Sequence, residues 1–171
     1  MGLNLYPKSS RYVALDHAVA LSRGLPPFVT PVLVLVNATR AEVSQACAAL
    51  PQALLQFHGD ELPADCDAAH RAYLRAVRMG AAVDLLDWAS RFPNAAALLL
   101  DADVEGYGGG GKRFDWSLIP PAVRIPLVLS GGLSPANVID GVLAVRPYAV
   151  DVSSGVEAGE KGIKDAALIR R

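Results

Sequence analysis

Seven short β-branched or leucine-rich runs punctuate the chain: Gly2 to Tyr6, Val32 to Val36, Ala53 to Phe57, Leu74 to Arg78, Ala96 to Leu100, Pro126 to Leu129 and Tyr148 to Val152. Between them lie alanine-rich stretches with helical spacing of apolar positions, Leu15 to Arg23, Arg40 to Leu50, Val83 to Phe92 and Ala136 to Val145. Thr39, Asp84 and Ser134 stand where helix caps belong. The alternation predicts βα units. VLVLV and AAALLL are continuously apolar, as expected of parallel strands covered on both faces. Two architectures satisfy this pattern, an open doubly wound sheet and a (β/α)8 barrel. Polar or glycine-rich segments follow nearly every run: YPKSSR, VNATR, QFHGD, LLLDADVEGYGGGGK, LSGG and DVSSG. An open sheet gathers such chemistry at one switch point, whereas a barrel spreads it around its mouth. No GxGxxG follows the first strand. The expected fold class is therefore α/β, of the (β/α)8 TIM-barrel family, with seven parallel strands in a single domain spanning residues 1–171.

Composition narrows the function. A chain of 171 residues with 52% hydrophobic and 19% charged residues can bury a core and is too apolar to stay disordered. Sixteen basic against seventeen acidic residues leave a net charge of -1, with no electrostatic footprint for nucleic acid or an anionic membrane. Any bound phosphate is then a local, small-ligand event. Cys47 and Cys66 form no CxxC and have no histidines at metal spacing, which fits a reducing cytoplasm and points to neither disulfide nor zinc site. Both fall in helical stretches, where a buried, inert thiol is expected. No apolar run reaches the ~18 residues of a membrane span.

The residues that could carry chemistry cluster at strand ends. Asp101 closes AAALLLD, so a rigid strand delivers an ionisable group to apolar surroundings that can raise its pKa toward a useful acid. Read from geometry alone, it fits a loop hydrogen-bonder equally well; Asp103, two residues on, reads as solvated. LSGGL and DVSSGVE follow the last two strands, where barrels build phosphate sites from backbone N–H groups. Ser130, Gly131, Gly132, Ser153, Ser154 and Gly155 permit close backbone approach to an anion, although small residues also serve ordinary turns. Arg11 can pair with a carboxylate, and Lys112, after four glycines, with phosphate or carboxylate; both could equally be solvated surface charges. His58 and Asp60 in QFHGD can orient a sugar or act as acid and base, although a lone histidine more often serves structure; Gln56 in the same segment and Asp151 in DVSSG complete the polar set. Trp88 and Trp116 read as packing residues.

YPKSSRYV, QFHGDE, LLLDADVEGYGGGGKRFDW, LSGGLSPANV and RPYAVDVSSGVE, in this order along essentially the whole chain, resemble the phosphoribosylanthranilate isomerase family of tryptophan biosynthesis. The resemblance implies an Amadori rearrangement of phosphoribosylanthranilate without metal or organic cofactor. It maps the family's general acid onto Asp101 and the arginine that holds the anthranilate carboxylate onto Arg11. It gives the substrate phosphate to the backbone amides of Ser130 to Gly132 and Ser153 to Gly155. Gln56, His58, Lys112 and Asp151 join them as substrate-binding residues.

The family's base is a cysteine in a KICG-type segment that precedes the YPKS strand, and this sequence holds no such segment. The first βα unit of the family pattern is thus unmatched, and the expectation is a chain shortened at its start. With a barrel of this kind usually needing at least ~200 residues, the length agrees. The alternative function is a non-catalytic phosphosugar-binding remnant. Open sheet edges would then favour self-association.

Overall fold

The computed structural model describes residues 1–102 and 114–171. Seven strands lie in the sheet order β1-β2-β3-β4-β5-β6-β7, so neighbours in sequence are neighbours in the sheet. The chain packs as two compact units, Met1–Arg75 and Ala76–Arg171, whose boundary falls inside β4 (Tyr73–Met79).

In the first unit, β1 (Gly2–Asn4), β2 (Val32–Leu35) and β3 (Leu54–Phe57) run parallel, with Leu3 against Leu33, Leu33 against Leu55, and Leu55 against Tyr73 at the start of β4. Leu33, Leu35, Leu55, Phe57 and Tyr73 are fully or almost fully buried, as the apolar runs require. The first strand is shorter than its apolar run because the chain turns at Asn4, whose side-chain oxygen accepts from the Tyr6 amide at 2.9 Å. Helix α1 (Leu15–Arg23) ends at Gly24, and α2 (Arg40–Ala49) opens with a reciprocal capping box. There the Glu42 amide donates to Thr39 Oγ1 and the Thr39 amide to Glu42 Oε2, at 3.3 and 2.7 Å. The short α3 (Pro63–Asp67) starts on a proline and buries Cys66.

The second unit continues the ladder through β5 (Ala97–Ala102), β6 (Leu127–Leu129) and β7 (Ala149–Val150). Its core gathers Val77, Met79, Leu85, Leu98, Leu100 and Leu129, with Trp88 and Trp116 packed against it from the flanks. Asp84 caps α4 (Leu85–Arg91), accepting from the amides of Leu86 and Asp87. Trp88 stacks on Phe92 at 5.4 Å between ring centroids.

The expected cap at Ser134 needs correction. Helix α5 spans Val138–Val145, with Asn137 at its N-cap, and Ser134 instead opens a turn whose carbonyl accepts from Asn137 and Val138. The Asn137 side chain is diverted from capping, because it holds the Ser134 amide and donates to Gly132 O, folding the SGGL loop back. A four-residue helix, α6 (Ala166–Ile169), closes the described chain, capped by Asp165. Among the described residues no helix is long and apolar enough to cross a membrane.

Candidate active site

Asp101 lies one residue from the end of β5, behind three leucines that are at most 1% exposed. Burial raises its carboxyl above the ordinary range. The Ala102 amide, which donates to Oδ1 at 2.9 Å, pulls the other way; the Asp151 charge adds to the rise, and Arg78 opposes it.

The register explains why these groups meet. Leu100 pairs with Leu129, and Leu129 with Val150, so one residue further on Asp101, Ser130 and Asp151 form the next row across three adjacent strands. The ladder carries on into this row, with Ser130 N donating to Leu100 O at 2.9 Å and Asp151 N to Leu129 O at 2.8 Å. Ser130 Oγ donates to Asp151 Oδ2 at 3.0 Å. Burial raises the Asp151 carboxyl, the Ser130 hydroxyl lowers it, and Lys164 lowers it further.

Two glycines in this region are required sterically. Gly131 sits at φ +73°, and a Cβ there would collide with the Ala102 amide and press within 3.1 Å of Asp101 Oδ1. A Cβ on Gly155 would run into the Leu133 carbonyl, so DVSSG packs on SGGL only with glycine at that point. The expectation that all three SGG amides face an anion needs correction at Ser130, whose amide is taken by Leu100 O. Among the described residues, no acceptor engages the amides of Gly131, Gly132, Ser154 or Gly155. Ser153 is held by a residue that strand-end reasoning passed over: Lys164 Nζ donates to its carbonyl at 2.8 Å and its hydroxyl at 3.2 Å, and pairs with Glu157 at 3.0 Å. A lone lysine among surface charges gives no signal of this in sequence.

The first unit holds Arg11, Gln56 and His58. Gln56 is buried on β3, and its side-chain amide meets His58 Nε2; the amide nitrogen donating, a neutral His58 carries its proton on Nδ1. Arg11 is half-buried in the loop after β1, its amide donating to Ser9 Oγ at 3.1 Å. Asn4 organises that loop, its side chain bonding Tyr6 and Ser9. Asp60 braces the two neighbouring loops instead of facing a sugar alone: its amide donates to Asn37 Oδ1, and Asn37 Nδ2 donates to its carboxylate.

Beneath this brace lies a buried ion pair that sequence reading missed. Arg75 Nη1 donates to Glu61 Oε2 at 3.0 Å and to Phe57 O, while Nη2 donates to Gly59 O. Glu61 Oε1 in turn accepts the Asn37 amide at 2.7 Å. The only trace in sequence is a charge inside the apolar strand YLRAVRM.

Cys66 is fully buried and its thiol is pushed up to about 12 by burial. Cys47 is only half-buried, short of the buried thiol expected, and burial raises it too. Lys112, Asp103 and the glycine cluster 106–111 lie outside the described residues.

Comparison with known proteins agrees along the whole chain. The family model described as N-(5'phosphoribosyl)anthranilate (PRA) isomerase matches residues 1–171. The N-(5'-phosphoribosyl)anthranilate isomerase of Methylibium petroleiphilum is 65% identical over 171 residues, covering 100% of this chain and 80% of that protein. The crystal structure of phosphoribosyl anthranilate isomerase from Thermotoga maritima superposes with a TM-score of 0.89 at 40% identity, over 99% of this chain and 83% of that one. A crystal structure of such an isomerase in complex with reduced 1-(o-carboxyphenylamino)-1-deoxyribulose 5-phosphate matches at a TM-score of 0.84 and 38% identity, over 99% and 82% of the two chains. The seven parallel strands are thus those of a TIM-barrel-family fold, and the chain belongs to the N-(5'-phosphoribosyl)anthranilate isomerase family.

Proposed function

We propose that the chain isomerises N-(5'-phosphoribosyl)anthranilate to 1-(2-carboxyphenylamino)-1-deoxyribulose 5-phosphate, with Asp101 as the general acid. The observation that carries this reading is a carboxyl raised by burial on a rigid strand end, pressed against an SGG loop whose two glycine amides meet no acceptor among the described residues. Asp101 gives its proton to the ribose ring oxygen as the C1'–O bond breaks, leaving a Schiff base to the anthranilate nitrogen. A base removes the C2' proton, the electron pair moves into an enolamine, and tautomerisation yields the ketone. Hydrogen is moved within one molecule, so the step has no net oxidant or reductant. The amides of Gly131, Gly132, Ser154 and Gly155, which meet no acceptor among the described residues, suit the substrate phosphate. Arg11 is assigned to the anthranilate carboxylate, and Gln56, His58 and Asp151 to other polar groups of the substrate. A cytoplasmic location goes with this reading.

A second reading, binding of a phosphosugar without turnover, has one observation in its favour. Neither cysteine suits the base, since burial holds both thiols protonated. One experiment separates the two: consumption of N-(5'-phosphoribosyl)anthranilate by the chain and by Asp101→Asn, beside calorimetric binding of the reduced product analogue. Turnover that drops about 10²- to 10⁴-fold in Asp101→Asn with binding kept supports the acid. Binding without turnover in the unaltered chain supports the second reading, and turnover untouched by Asp101→Asn refutes the role given to Asp101.

A further inference from the structure

The segment that follows DVSSG turns back on it. Glu157 and Lys164 face each other across an antiparallel bridge, with the exposed stretch 158–161 at the reversal. The Ala158 amide donates to Ile163 O at 2.9 Å and the Asp165 amide to Val156 O at 2.8 Å. Lys164 thereby returns to the loop it left eleven positions earlier. Its ammonium meets Ser153 O at 2.8 Å, Ser153 Oγ at 3.2 Å and Glu157 Oε1 at 3.0 Å, three acceptors for the three N–H donors of a lysine.

We propose that Lys164 is a positioning residue for the substrate phosphate: by collecting the acceptors of the DVSSG loop on one ammonium, it leaves that loop's amides and the Ser153 hydroxyl proton as the groups offered to the anion. This rests on the reading of the Ser154 and Gly155 amides as phosphate donors.

An anion site has to present donors and withdraw acceptors, because an oxygen that faces a phosphate repels it. Three such oxygens crowd this loop. The Ser153 carbonyl is fixed from two sides, by Lys164 and by the Val156 amide at 3.4 Å. The Ser153 hydroxyl, with a lone pair committed to Lys164, keeps its own proton to donate. Glu157 is the most adverse group, a carboxylate whose side chain is 6% exposed. The ammonium neutralises it, and the Gly162 amide donates to the same oxygen at 3.0 Å. The amides of Ser154 and Gly155, by contrast, meet no acceptor among the described residues. With its three donors matched to these three acceptors, Lys164 acts on the anion through Ser153 and not by touching it.

The test is calorimetric affinity for the reduced product analogue and for its phosphate-free counterpart, which needs no turnover. It compares the unaltered chain, Glu157→Gln, and the double change of Lys164→Met with Glu157→Gln. The double change avoids the bare buried carboxylate that Lys164→Met alone would leave. Glu157→Gln, in which Lys164 still holds Ser153, is expected to bind the phosphorylated analogue as the unaltered chain does. The double change is expected to bind it about tenfold or more weakly, at high as at low ionic strength, with affinity for the phosphate-free counterpart kept. Unchanged affinity in the double change overturns the proposal. So does a loss that salt abolishes, which marks the attraction of a distant charge. An equal loss for both ligands overturns it as well, and is what an effect of Lys164 on Asp151 or on the fold at large would give. If the double change does not fold, the unaltered chain still decides. Its Lys164 ammonium ¹⁵N signal stays at its ligand-free position when the analogue binds, and coupling of that signal to phosphorus, the mark of a direct ligand, overturns the proposal. An unaltered chain that binds both ligands equally overturns the phosphate site itself, and with it the reading on which the proposal rests.

Discussion

Asp101 ties stability to pH as well as to chemistry. Its carboxyl is raised in the folded chain by burial, so between the ordinary aspartate value and the folded one the native state holds more protons than the unfolded state. Stability contributed by the protonated form is fully present below that window, falls as pH rises through it, and is flat above. Asp101→Asn removes this dependence: the variant is expected to match or exceed the unaltered chain in urea unfolding above the window while losing turnover. A stability curve parallel to the unaltered chain at every pH would count against a raised Asp101. Activity that needs the acid protonated should also fall on the alkaline side of the same midpoint. At Cys66, a thiol pushed up to about 12 from an ordinary value of 9.0 holds about a thousandfold less thiolate near neutral pH. Iodoacetamide is expected to label Cys66 far more slowly in the native chain than in urea, and equal rates would show that the residue is not enclosed. The acid was legible because a charge ends an apolar strand. The pairing of Ser130 with Asp151 was not, since the two lie 21 positions apart.

Loops at the strand ends depend on contacts that single elements do not announce. Arg75 and Glu61 are each about 95% or more shielded as side chains and jointly hold the carbonyls of Phe57 and Gly59 and the amide of Asn37. Removing one partner leaves the other charged and buried, so Arg75→Met is expected to cost about 3–5 kcal/mol. The double change with Glu61→Leu should cost less than Arg75→Met alone, by chemical denaturation; a larger cost would deny that the lone charge is the problem. At the other loop, Gly155→Ala must push DVSSG off the Leu133 carbonyl. Affinity for the phosphorylated product analogue is expected to fall on the order of tenfold or more, read by calorimetry, with unchanged affinity dissociating this loop from the phosphate. Helices with a local cap, at Thr39 and Asp84, were legible to within about two residues at their starts. The start of α5 was not, because Asn137 spends its side chain on the SGGL loop.

Ala149 and Val150 of β7 are exposed, and Tyr148, Leu143 and Ile139 beside it are 82%, 69% and 68% exposed. Exposed apolar surface of this kind favours association, so size-exclusion chromatography is expected to show species larger than a monomer or loss of soluble protein. A sharply melting, monodisperse monomer would contradict this. The sequence by itself determined the number of strands, their parallel class and the placing of polar groups at their ends, because apolar periodicity and glycine punctuation are local properties of the chain. Only the tertiary structure decided that Asp101, Ser130 and Asp151 share one row, that Gly131 presses on the acid, and that Arg75 anchors the QFHGD loop. Those pairings are set by strand register and loop packing between residues distant along the chain, and no local pattern encodes them.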